Sequence, residues 1–90
     1  MSQAIVDPEQ LRRFATNLKR FNGELQGQLQ SLHGQLKNLG QSWRDKEHQK
    51  FAEEFDQTMV AVAKFVEAVD EHVPFLLRKA DRVEEYLRQR

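Results

Sequence analysis

The 90-residue chain has no cysteine, two prolines and four glycines. Without cysteine, neither a disulfide framework nor a zinc ribbon is available. So little proline and glycine leaves material for few turns, hence few and long elements. No apolar run approaches the roughly 20 residues that span a bilayer, so stable membrane insertion is not expected. The start, Met1-Ser2-Gln3-Ala4-Ile5-Val6, lacks a basic segment followed by a long apolar core. No cleavable signal peptide is therefore expected, and export would use a route that does not read one. There is no glycine-rich phosphate loop. Charge of one sign is also missing. Residues 1–44 carry six Lys/Arg and three Asp/Glu, net +3, and residues 45–90 carry eight and eleven, net −3. Halves of opposite sign suit side-by-side packing and give no concentrated basic face for nucleic acid.

What is present is periodic. Asp7-Pro8-Glu9-Gln10 reads as a helix start, with Asp7 as cap, Pro8 at the first helical position and Gln10 completing a capping box. Apolar residues follow at Leu11, Phe14, Leu18, Phe21, Leu25, Leu29, Leu32, Leu36 and Leu39, a heptad seam with one extra four-residue step at Phe21–Leu25–Leu29. This predicts a helix over 8–39, about 48 Å long at 1.5 Å per residue.

Gly40 stops that helix, and a turn over 40–45 holds the only tryptophan, Trp43. Ser42 or Asp45 caps a second helix over 46–88, with a possible kink near Pro74. Its seam reads Phe51, Phe55, Met59, Val62, Val66, Val69, Val73, Leu76, Ala80, Val83 and Leu87, widened by Phe65 and Leu77, with its own four-residue step at Phe51–Phe55–Met59. Folding the chain about residue 42 sets position i opposite 84 − i, which brings the two irregular steps face to face. Residues 1–90 are thus expected to form one all-α domain, an antiparallel two-helix hairpin. A lone hairpin covers wide stripes poorly, so dimerisation into a four-helix bundle is expected.

Three features point to that association. Gly23, Gly27 and Gly34 lie opposite the leucine seam, either as a groove for a close helix or as a solvent-facing stretch. Phe65, Leu76 and Leu77 widen or extend the second stripe. On the register above, the segment past Pro74, with Val83, Tyr86 and Leu87, overhangs the first helix and forms a recognition arm. For Trp43 the simpler reading is a plug at the end of the seam near Leu39 and Phe51, the other a partner contact.

Catalysis finds no support. Asp45-x-x-His48 has the spacing of di-metal bundles but lacks a second motif and inward glutamates, so no metal or cofactor is expected. The acidic groups Glu53, Glu54, Asp56 and Glu67, Asp70, Glu71 read as solvated faces without a nucleophile. The chain is not expected to be an enzyme.

A hairpin of this size with a capped first helix, Leu39…Trp43 at the turn and Phe51 and Phe55 after it resembles the WXG100, or ESAT-6-like, family. The likeness spans nearly the whole chain. Where the family has Trp-x-Gly, this chain reads Trp43-Arg44-Asp45. Where the family's export signal has Tyr-x-x-x-acid, Tyr86 is followed four positions on by Arg90. The resemblance implies a small dimeric hairpin, cytoplasmic before export and secreted by a type VII system. Its implied partners are an identical or related hairpin, a larger secreted effector or the secretion ATPase. The alternative is a cytoplasmic helical adaptor or assembly scaffold.

Overall fold

The computed structural model describes residues 5–89. Two helices, α1 (Pro8–Leu39) and α2 (Lys46–Arg88), make a hairpin about 67 Å long, 23 Å wide and 16 Å thick. The helices are antiparallel: Arg12 near the start of α1 meets Glu84 near the end of α2, and His33 meets Asp56.

Local chemistry sets the ends. Asp7 is extended, and its Oδ1 accepts the Glu9 N–H at 2.9 Å, with Pro8 opening α1. Gln10 adds no reciprocal bond among the described residues, so the cap is one-sided and not a box. At the far end the Gly40 N–H donates to the carbonyls of Leu36 and Lys37. Gly40 is right-handed, φ −61°, so its value is space rather than a left-handed turn. A Cβ there would lie 3.2 Å from the Lys37 carbonyl oxygen and 3.3 Å from His48 Cε1. Of the two expected caps for α2, Asp45 serves, its Oδ1 accepting the His48 N–H at 3.0 Å. Ser42 turns back and donates to the Leu39 carbonyl. α2 passes through Pro74 without a break. Pro74 is exposed, so the carbonyl it leaves unpaired a turn earlier sits on the solvent side.

The seam differs from the sequence reading in which residues it buries. Ala15, Asn22 and Leu36 are buried on α1, and Val66, Val69, Val73 and Ala80 on α2. Phe14 and Phe21, expected in the seam, are 55% and 50% exposed, while their neighbours Ala15 and Asn22 are 0% and 2% exposed. In α2 the half-buried residue is Ala52, and Phe51 is exposed. With Ala52 in place of Phe51 the α2 seam steps 3 and 4 without interruption, so the expected irregular step there does not exist. The physical reason is closeness. Two antiparallel helices pack tightly when small residues repeat every seven positions, and large rings are displaced to the flank.

The register is shifted too. Asn22 meets Val66, and His33 stacks on Phe55, so facing positions sum to about 88 and not 84. The four-residue shift shortens the expected overhang, since Pro8 now faces residue 80 in place of 76 and α2 runs on to Arg88. Ala80 is fully buried, and Arg12 Nη2 reaches both Asp81 Oδ1 and Glu84 Oε1 at 2.7 Å. Ile5 and Val6 lie beside Val83 and Tyr86. The segment after Pro74 is therefore tied to the hairpin through Ala80, Asp81, Val83 and Glu84, and is not the free arm expected from the sequence.

Asn22 is the buried polar side chain of the seam. Its Nδ2 donates to the Val66 carbonyl at 2.9 Å and to Asp70 Oδ1 at 3.2 Å. A buried asparagine costs stability relative to an apolar residue but penalises every register in which it loses its partners.

Candidate functional site

The two flanks of the hairpin differ in chemistry. In heptad terms Ala15, Asn22, Val66, Val73 and Ala80 occupy a positions. In an antiparallel pair the e positions of both helices share one flank and the g positions share the other, because the helices wind in opposite senses seen from one end. The e flank is electrostatic. Arg12 pairs with Asp81 and Glu84, and His33 Nε2 lies 3.5 Å from Asp56 Oδ1 with its ring stacked on Phe55. The hydrogen bond from Arg12, reinforced by its charge, holds the Glu84 carboxyl below the ordinary carboxylate range. The same bonds, from Glu84 first and then Asp81, hold the Arg12 guanidinium above its ordinary range.

The g flank is apolar. At 100° per residue Phe14, Phe21, Leu32 and Leu39 fall within about 20° of one another on α1, and all four are about half exposed. On α2 the same flank presents Phe51, Phe65, Phe75 and Tyr86, again exposed. Ala61 and Ala68 lie between them and are also exposed. One face thus carries eight large apolar side chains along nearly the whole hairpin, beyond the scattered single residues usual on a surface.

The expected interface residues divide among several surfaces. Phe65 and Tyr86 lie on the apolar face. Leu76 and Val83 are half-buried along the seam, with Leu76 packed against Ala15, Val69 and Val73, and Leu87 is half-buried near the end of α2. Leu77 is exposed on the e flank. Gly23, Gly27 and Gly34 line the outer back of α1, where an added Cβ would meet nothing within 4 Å. The glycine stripe is therefore open to solvent, on a different side from Phe65, and α2 does not approach it. The reading missed Phe14, Phe21, Phe51 and Phe75 as exposed. The signal was available: a large residue directly precedes a small seam residue in Phe14-Ala15, Phe21-Asn22 and Phe51-Ala52.

At the tip, Trp43 is 37% exposed and does not plug the seam. Its ring sits edge-on to His48 with centroids 4.9 Å apart, and Leu39 and Phe51 remain exposed nearby. At the open end a groove is lined by Ile5, Val6, Lys79, Arg82, Val83 and Tyr86. Among the described residues no group of three or more His, Cys, Asp or Glu is placed to hold a metal, and no helix is long and apolar enough to cross a membrane.

The architecture is that of a small antiparallel helical hairpin with a tryptophan at its tip. The WXG100 family model, described as proteins of 100 residues with WXG, matches residues 3–86, and the chain belongs to that family. Solved structures agree. A secreted protein EsxB from Bacillus anthracis, in selenomethionine form, is 30% identical with a TM-score of 0.75, covering 96% of this chain and 98% of that one. Its wild-type form is 31% identical with a TM-score of 0.75, covering 93% and 97%. A point variant of the same protein gives 30% and 0.77, covering 94% and 96%. No curated protein matches the chain.

Proposed function

We propose that this chain is a type VII secretion-associated docking protein that works by pairing its apolar face with a second helical hairpin to form a four-helix bundle. The observation that carries the reading is the division of the hairpin. Alanines, aliphatic residues such as Leu36, Val66, Val69 and Val73, and one asparagine join α1 to α2, while most of the aromatic side chains are left exposed on one face. Burying that face against another hairpin removes the aromatic rings from water and builds a second seam beside the first. The secretion assignment follows from family membership and from the EsxB structures, which are of a protein described as secreted. The mechanism is non-enzymatic. The pair presents a composite helical surface to a larger effector or to the secretion ATPase.

The test compares two faces. Phe21→Glu and Phe65→Glu place charge on the apolar face, and Gly27→Glu places it on the back of α1. Sedimentation should show association lost in the first two and kept in the third, with helix content preserved in all. Equal behaviour of the three variants contradicts the docking face. Export is tested by following the tagged chain into culture medium with and without the type VII ATPase.

A further inference from the structure

Asn22 stands directly before Gly23, whereas the other two asparagines, Asn17 and Asn38, each stand before leucine. The difference is chemical. The backbone nitrogen of the following residue can attack an asparagine amide carbon, closing a five-membered succinimide ring and expelling ammonia. Water then opens the ring at either carbonyl and leaves aspartate or isoaspartate. One water is consumed and one ammonia released, with no oxidant, reductant or cofactor. A glycine in the second position speeds ring closure, because no Cβ crowds the attacking nitrogen. A leucine there slows it.

Packing gives Gly23 no other duty. It lies inside α1 without a positive φ, and an added Cβ would meet nothing within 4 Å. Such a glycine costs a helix about 1 kcal/mol against alanine.

The closed hairpin holds the reaction off. Asn22 is 2% exposed, and its Nδ2 donates to the Val66 carbonyl at 2.9 Å and to Asp70 Oδ1 at 3.2 Å. The Gly23 N–H is committed to the preceding turn of α1, and the ring cannot close at helical dihedrals. The product does not fit the same place. A carboxylate here has no hydrogen to give Val66 and faces Asp70. Asn22 Oδ1 already finds no donor among the described residues, so both carboxylate oxygens would be buried without one. Isoaspartate adds a backbone carbon to α1 and breaks its helical phase.

We infer that Asn22-Gly23 is a self-modification site gated by the hairpin itself. It is inert while α1 is packed on α2 and is hydrolysed by water once the helices part. The converted chain does not close again in the observed register. A chain that stays open is thereby marked irreversibly. The inference stands on the seam and is independent of the docking face.

The test incubates the full chain at mildly alkaline pH, folded in buffer and unfolded in guanidinium chloride, with tryptic peptides followed by mass spectrometry. Asn22 falls in peptide 21–37, Asn17 in 14–19 and Asn38 in 38–44, so each is read separately. In denaturant, conversion at Asn22 should outrun that at Asn17 and Asn38. In buffer it should be slower on the order of a hundredfold, because only opened molecules react. Gly23→Ala should bring Asn22 in denaturant down to the pace of the other two, and the folded variant should melt no lower than wild type. The converted chain, freed of denaturant, should lack the cooperative melt that Gly23→Ala regains after the same treatment. Equal rates at Asn22 in buffer and denaturant overturn the gate. No lead of Asn22 over Asn17 in denaturant overturns the site. A converted chain that melts like the untreated one overturns the irreversible step.

Discussion

Asn22 donates its side-chain amide to the backbone carbonyl of Val66 at 2.9 Å, from a position 2% exposed at the middle of the hairpin. That carbonyl is already part of α2, so the asparagine adds a cross-helix bond without breaking the helix. A second bond to Asp70 Oδ1 fixes the amide's direction. Among the described residues no other buried residue carries a polar side chain, so this contact favours the observed register over those in which the amide loses its partners.

Replacing it tests that role. Asn22→Ala should lower stability by about 1–3 kcal/mol through lost hydrogen bonds and a small cavity. Asn22→Asp should cost more at neutral pH, because a carboxylate cannot donate to Val66 and faces Asp70. Burial beside a like charge raises such a carboxyl's folded pKa, so the penalty is present above that pKa and fades as pH falls through it. Urea melts at neutral and acid pH check both statements. A penalty independent of pH would contradict the donor role.

Arg12 ties the start of α1 to Glu84. The folded pKa of Glu84 is depressed by this hydrogen bond. Its contribution is therefore present above the unfolded carboxylate pKa and is lost as pH falls through the lowered folded value. The pair is half-buried at the edge of the seam and screened by solvent on its open side, so the effect is modest. Glu84→Gln should flatten the acid limb of stability against pH, measured by thermal melts from pH 7 to 2. An unchanged acid limb would remove Glu84 as its source.

The seam and its flank should respond oppositely to size. Ala15→Leu forces extra volume where the helices touch and should cost about 1–3 kcal/mol. Phe14→Ala removes a far larger side chain yet should change the hairpin's own stability little, because that ring lies outside the seam. Melts at concentrations low enough to disfavour association separate the two.

Much of this fold was legible in the sequence. Both helix spans, the turn and the Asp7 cap follow from apolar period and end chemistry, and of the two candidates for the second cap, Ser42 and Asp45, the structure uses Asp45. The exact seam did not. Counting the largest apolar residue at each step selects Phe14, Phe21 and Phe51, whereas close antiparallel packing selects Ala15, Asn22 and Ala52. Hydrophobicity ranks residues by size, but an interhelical distance rewards smallness, and the polar Asn22 is invisible to an apolar count. The misplaced seam carried the register error with it, and the supposed free arm past Pro74 was its consequence. The docking face was in view only as excess stripe width, through Phe65.

Trp43 illustrates the same point at the tip. With its ring partly exposed and edge-on to His48, Trp43→Ala should cost the hairpin about 1 kcal/mol, well short of the loss expected for a buried indole. Thermal melts of the isolated chain measure this. A loss above about 3 kcal/mol would place the indole in the core.

The central claim is that the face carrying Phe14, Phe21, Phe51 and Phe65 is covered by a second hairpin. Light scattering coupled to size-exclusion chromatography over a wide concentration range tests it most directly. The account predicts a mass near twice 10.6 kDa, falling toward the single-chain value only on dilution. A stable, cooperatively folded single chain at every concentration, with no related hairpin able to bind it, would contradict it.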